Sequence, residues 1–71
     1  MILGSLLRFD NKIVRVTMKD GLIFQGRCTY DSAEYTMHEF GVEEESLEID
    51  DYLLYKRDMR SVELLHRAGD N

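Results

Sequence analysis

Lys12-Ile13-Val14-Arg15-Val16-Thr17-Met18-Lys19-Asp20-Gly21-Leu22-Ile23-Phe24-Gln25-Gly26 is the stretch whose reading decides the fold. Val14, Val16 and Met18 fall on one parity and Arg15, Thr17 and Lys19 on the other, the period-two pattern of a half-buried strand. Asp20 and Gly21 tolerate the left-handed backbone of a tight turn, so a hairpin is expected there. In the strand that follows, Leu22, Phe24, Gly26, Cys28 and Tyr30 share one face. Gly26 in mid-strand predicts a sharp bend or a close backbone approach, the device by which a small sheet curls on itself.

Upstream, Ile2, Leu3, Leu6, Leu7 and Arg8 recur at helical spacing over about two turns, and Asp10-Asn11 ends the pattern. Downstream, Asp31 to Glu34 reads as a short turn. Tyr35 to Val42 reads as a third strand, although Met37, His38, Glu39 and Phe40 alternate poorly. Glu43 to Asp51 reads as an acidic, solvated loop. Leu47, Ile49, Leu53 and Tyr55 share a parity, while Tyr52 and Leu54 are apolar on the other, so Tyr52 to Tyr55 is expected to be covered on both faces. Lys56 to Met59 forms a connector, Arg60 to Leu65 a last strand, and the polar tail 66–71 is expected to fray. The fold class expected is mainly β. A short N-terminal helix precedes a five-stranded, strongly bent antiparallel sheet that forms a small barrel, open or closed, in one domain over residues 1–65.

A chain of 71 residues buries only about 60% of the surface it exposes when unfolded, so help for its core is expected. Cys28 is the only cysteine, which excludes an internal disulfide and suits a reducing, cytoplasmic setting. Cys28, His38 and His66 are scattered singly, without the short spacing of a zinc site, so neither metal nor cofactor is expected. Oligomerisation remains. No stretch approaches the roughly 18 to 20 apolar residues of a membrane span. Net charge is −5, but six of the fourteen acids lie between Glu43 and Asp51, so nucleic acid is neither favoured nor excluded. Four serines and two histidines occur without a nucleophile elbow, and neither a phosphate-cradling glycine loop nor a paired-carboxylate cleft can be picked out; a non-enzyme is expected.

The run from Asn11 to Gly21, followed by Leu-Ile-Phe-Gln-Gly26, resembles the first motif of the Sm and LSm proteins: Val14, Val16, Lys19, Asp20, Gly21, Gly26 and Asp31 match it in type and nearly in spacing. Lys56-Arg57 stands where the family's second, basic motif would lie, and the resemblance spans roughly Leu3 to Leu65. It implies a small Sm-like (SH3-like) barrel and a homo-oligomeric ring of about six or seven subunits, made by pairing the fourth strand of one copy with the fifth of the next, with single-stranded RNA bound at the lumen. On that resemblance Lys56 and Arg57 would hold phosphate, Asp31 would order the turn after the second strand, and Tyr35 would offer a stacking platform. The family's Asn in that turn is absent here, where Ser32, Ala33 and Glu34 follow Asp31, and Asp58 replaces the Gly after the basic pair. Two functions therefore stand side by side: an Sm-like ring binding single-stranded RNA, and a non-catalytic protein-interaction or structural module on the same scaffold with the RNA pocket lost.

Overall fold

The computed structural model describes residues 3–65. The hairpin forms as its residues dictate. Strands β1 (Ile13–Met18) and β2 (Ile23–Asp31) pair antiparallel, with Val14 opposite Gly26 and Val16 opposite Phe24. Val14 and Val16 are fully buried. At the turn only Gly21 takes a left-handed backbone, at φ 96°. Asp20 works differently from the expectation: its Oδ1 accepts the amide of Leu22 at 3.0 Å, an Asx turn, and its own φ is not positive.

Gly26 is the hinge of the sheet. Its φ of +154° suits glycine, and a Cβ built there would lie 3.3 Å from Cγ2 of Ile49. Up to Arg27 β2 pairs with β1; from Cys28 onward it pairs with β3 (Ser46–Ile49), Cys28 facing Ile49 and Asp31 facing Ser46. Strand β4 (Tyr52–Tyr55) returns from β3 through Asp50-Asp51, where Asp50 takes φ 55°. A 3-10 turn at Lys56–Asp58 leads into β5 (Met59–Leu64), which pairs with β1. The strand order is β4-β3-β2-β1-β5.

Several expectations need correction. The sheet is strongly bent but stays open, with β4 and β5 as its edges and no ladder between them, so it is not a closed barrel. The segment read as a third strand is the helix α1 (Ala33–Phe40). Ser32 caps it by accepting the amide of Tyr35 at 3.1 Å, and Gly41 ends it in the left-handed conformation. The third strand lies instead inside the stretch read as an acidic loop, because Ser46, Leu47 and Ile49 are buried there. Tyr52, expected to be covered, is 58% exposed.

The N-terminal helix is also absent among the described residues. A single 3-10 turn, Leu7–Phe9, stands in its place. Gly4 at φ 74° interrupts a right-handed helix before it starts, and Leu6 and Phe9, three apart, both reach the core on one face of a three-per-turn coil. They join Val14, Val16, Met18, Cys28, Leu47, Ile49, Leu54 and Met59 as the buried cluster between the two halves of the bent sheet. The Cys28 thiol donates to the carbonyl of Phe9 at 3.0 Å; burial raises its pKa, and it acts as a small core residue.

Candidate functional site

The residues singled out by sequence gather at one end of the sheet. Asp31, at the end of β2, faces Ser46, which faces Tyr55 on its other side, so the three form a row across β2, β3 and β4. Lys56 and Arg57 follow Tyr55 directly, and Tyr35 rides on the first turn of α1, just past Asp31. No hydrogen bond or ion pair joins Asp31 or Tyr35 to Lys56 or Arg57 among the described residues.

The basic pair is occupied. Lys56 Nζ lies 3.7 Å from Glu45 Oε1, and Arg57 Nε lies 3.7 Å from Glu44 Oε2. Each contact is loose and partly solvated, worth little to stability. Each nevertheless sets a carboxylate beside the cation that a phosphate would have to share.

Glu45 organises this end of the molecule, and the sequence reading took it for one of several solvated loop acids. Its carboxylate accepts the amide of Leu6 at 2.9 Å, the Tyr30 hydroxyl at 2.8 Å and the Ser5 hydroxyl at 3.1 Å. Burial alone would raise its pKa, but these donors and the Lys56 ammonium outweigh that and hold it below the usual carboxylate range. The partner Tyr30 moves the other way, pushed up by burial and by its bond to the carboxylate. The available signal was the alternation Ser46-Leu47-Glu48-Ile49, which marks a strand beginning next to Glu45 and so brings it against the core.

Asp31 has the opposite environment. Only 9% of its surface is exposed, its Oδ2 has no hydrogen-bond partner, and the facing Ser46 Oγ is likewise buried without one. Burial, followed by the neighbouring Glu48 and the more distant Asp10, pushes its pKa up to about 7. It accepts none of the backbone amides that a turn-ordering Asp would take; Ser32 and Asp10 supply those contacts, Asp10 Oδ1 accepting the amide of Tyr30 at 2.9 Å. Tyr35 is 47% exposed and meets Phe40 edge-on at 6.4 Å. Glu39, then Asp31 and Glu48, raise its pKa, so negative charge surrounds the ring that a base would stack on.

A concavity of about 310 Å³ lies between the β1–β2 hairpin and the β4–β5 connection, lined by Met18, Leu22, Phe24 and Leu54 with Lys19, Asp20 and Asp58. Its wall is mainly apolar. Among the described residues no group of three His, Cys, Asp or Glu side chains is placed to hold a metal ion, and no helix is long and apolar enough to cross a membrane. His38 is exposed and bonded to Glu39 at 3.0 Å, while His66 and the tail 66–71 lie outside the described residues. No protein-family model matches the chain, and neither a curated protein nor a solved structure matches it.

Proposed function

We propose that this chain is a non-catalytic assembly module of Sm-like architecture, associating head to tail with copies of itself, the β4 edge of one against the β5 edge of the next. The observation that carries this reading is the pair of open edges, β4 and β5, at opposite ends of one sheet. An open edge offers unpaired amides and carbonyls that natural proteins cover or pair. Here the edges carry exposed apolar side chains, Tyr52 on β4 and Leu64 on β5.

Charge supports the same polarity. No Lys or Arg occurs between Arg27 and Lys56, the span that holds α1, β3 and β4, while nine of the fourteen acids lie there. The half built on β1, β5 and the start of β2 carries Arg8, Lys12, Arg15, Lys19, Arg27 and Arg60 against Asp10, Asp20, Asp58 and Glu63, a small positive balance. An acidic half with one edge and a basic half with the other favour a heterologous contact over a symmetric one, and a heterologous contact closes a ring when its rotation permits.

Single-stranded RNA at the lumen is the second reading, favoured by Arg57, whose side chain is 59% exposed at the same sheet end as Asp31. The pairing of Lys56 and Arg57 with Glu45 and Glu44, and the acid around Tyr35, weigh against it. Light scattering across a hundredfold range of concentration tests the assembly, and a mass that stays monomeric at millimolar chain would overturn it. Titration of labelled oligo-U and oligo-A at low and moderate salt separates the readings. Binding that is lost in Lys56→Ala/Arg57→Ala would restore RNA to first place.

A further inference from the structure

α1 is built with care and then left bare. Ser32 caps its start, Gly41 its end, and Thr36 alone is buried beneath it, donating its hydroxyl to the carbonyl of Glu44. Ala33, Met37 and Phe40 stand at i, i+4 and i+7, the spacing of a continuous apolar stripe. Yet Met37 and Phe40 are each 52% exposed, and Tyr35, packed on Phe40, is 47% exposed. Among the described residues, no segment covers these three large apolar side chains fully, and about half of each faces solvent.

The charge around that face selects its partner. Glu34, Glu39 and Glu43 are exposed on and beside the helix, within the span that has no Lys or Arg. Such a field repels nucleic acid and anionic lipid and attracts a cation. We propose that the half-exposed apolar patch that Tyr35, Phe40 and Met37 make around α1 docks a cationic amphipathic segment of another protein, its apolar side chains seated on that patch and its Lys or Arg residues meeting Glu34, Glu39 and Glu43. The mode is an amphipathic helix laid on an apolar surface, with charge fixing its orientation. It uses none of the edge backbone of β4 or β5, while its acids belong to the acidic half that also attracts a second copy.

The probe is a fluorescent 16-residue Lys/Leu peptide with leucines at i, i+3, i+4 and i+7, set against a peptide of the same composition in scrambled order. Wild type is expected to bind the ordered peptide at least tenfold more tightly than the scrambled one, with amide shifts confined to α1 and the residues flanking it. Met37→Ser/Phe40→Ser removes exposed side chains, so its melting curve stays that of the wild type while affinity falls about tenfold. Glu34→Gln/Glu39→Gln is expected to weaken binding severalfold and to flatten its dependence on salt. Equal binding of the two peptides, shifts spread over the whole acidic half, or an affinity unmoved by Met37→Ser/Phe40→Ser would each overturn the proposal. So would a fall in the mass of the free protein in that variant, which would assign the face to a second copy.

Discussion

Gly26 and Asp31 stand five residues apart on β2 and are placed under opposite constraints. Gly26 bends the strand where a side chain has no room, and its positive φ adds strain for any other residue. Gly26→Ala is expected to cost about 1–3 kcal/mol, read from urea unfolding midpoints at unchanged slope. Asp31 is costly as it stands, because a carboxylate with an unpartnered oxygen sits beside Ser46 and Glu48. Its folded pKa lies above its unfolded one, so its contribution is fully present below about 3.8 and is lost as pH rises towards about 7. Asp31→Asn should therefore flatten the decline in stability between those values and stabilise the protein at pH 8 by about 1–3 kcal/mol, the scale of relieving one unsatisfied buried polar group. A variant with the same pH profile as wild type would place the titration elsewhere. Gly26 was legible in the sequence because a mid-strand glycine has few uses, whereas the burial of Asp31 was not, since an Asp at a strand end more often faces water.

At the scale of elements, β1 and β2 could be read because alternation and a turn sequence agreed on one answer over fifteen residues. The stretch from Asp31 to Asp51 misled. Ser32 and Gly41 are ordinary helix caps, and Ala33, Met37 and Phe40 have helical spacing, but the exposed apolar residues of α1 blur the contrast between faces on which periodicity depends. β3 was hidden by its acids, because Glu45 and Glu48 suggest solvent while the neighbouring Ser46 is fully buried. Ser32→Ala is expected to lower stability by about 1 kcal/mol through loss of the cap, with a fall in helical circular dichroism. Glu45→Ala should cost more, about 2–3 kcal/mol, because it strips the Leu6 amide and the Tyr30 hydroxyl of a charged acceptor. Hydrogen exchange would show the loss first at Leu6, where the N-terminal segment is tied down. Glu45 has a lowered pKa, so its contribution is present above the ordinary carboxylate value near 4.5 and is lost as pH falls through the folded value. Asp31 and Glu45 therefore penalise opposite ends of the scale. In Glu45→Gln the acid-side loss should shrink while the decline towards neutral pH remains.

For the whole molecule, the fourth and fifth strands named by the resemblance are the ones left at the sheet's edges, but the sequence could not reveal that the halves differ in sign. That property appears only when the topology sets α1, β3 and β4 on one side and β1 and β5 on the other. A net charge of −5 conceals it. The segregation gives the proposed association two separable components, edge pairing with apolar contact and attraction between unlike halves. Only the second is screened, since the Debye length falls from about 10 Å at 0.1 M salt to about 3 Å at 1 M. Sedimentation at 0.05, 0.2 and 1 M NaCl should show the association weakening without vanishing, as edge hydrogen bonds and the burial of Tyr52 and Leu64 persist. Leu64→Lys replaces an exposed apolar residue of β5 with the side chain that most often guards a free edge, and it should shift the protein to monomer with its circular dichroism unchanged. Were Leu64→Lys to assemble like wild type, β5 would lie outside the contact. Were association to strengthen with salt, the attraction between halves would be refuted and apolar burial alone would remain to drive it.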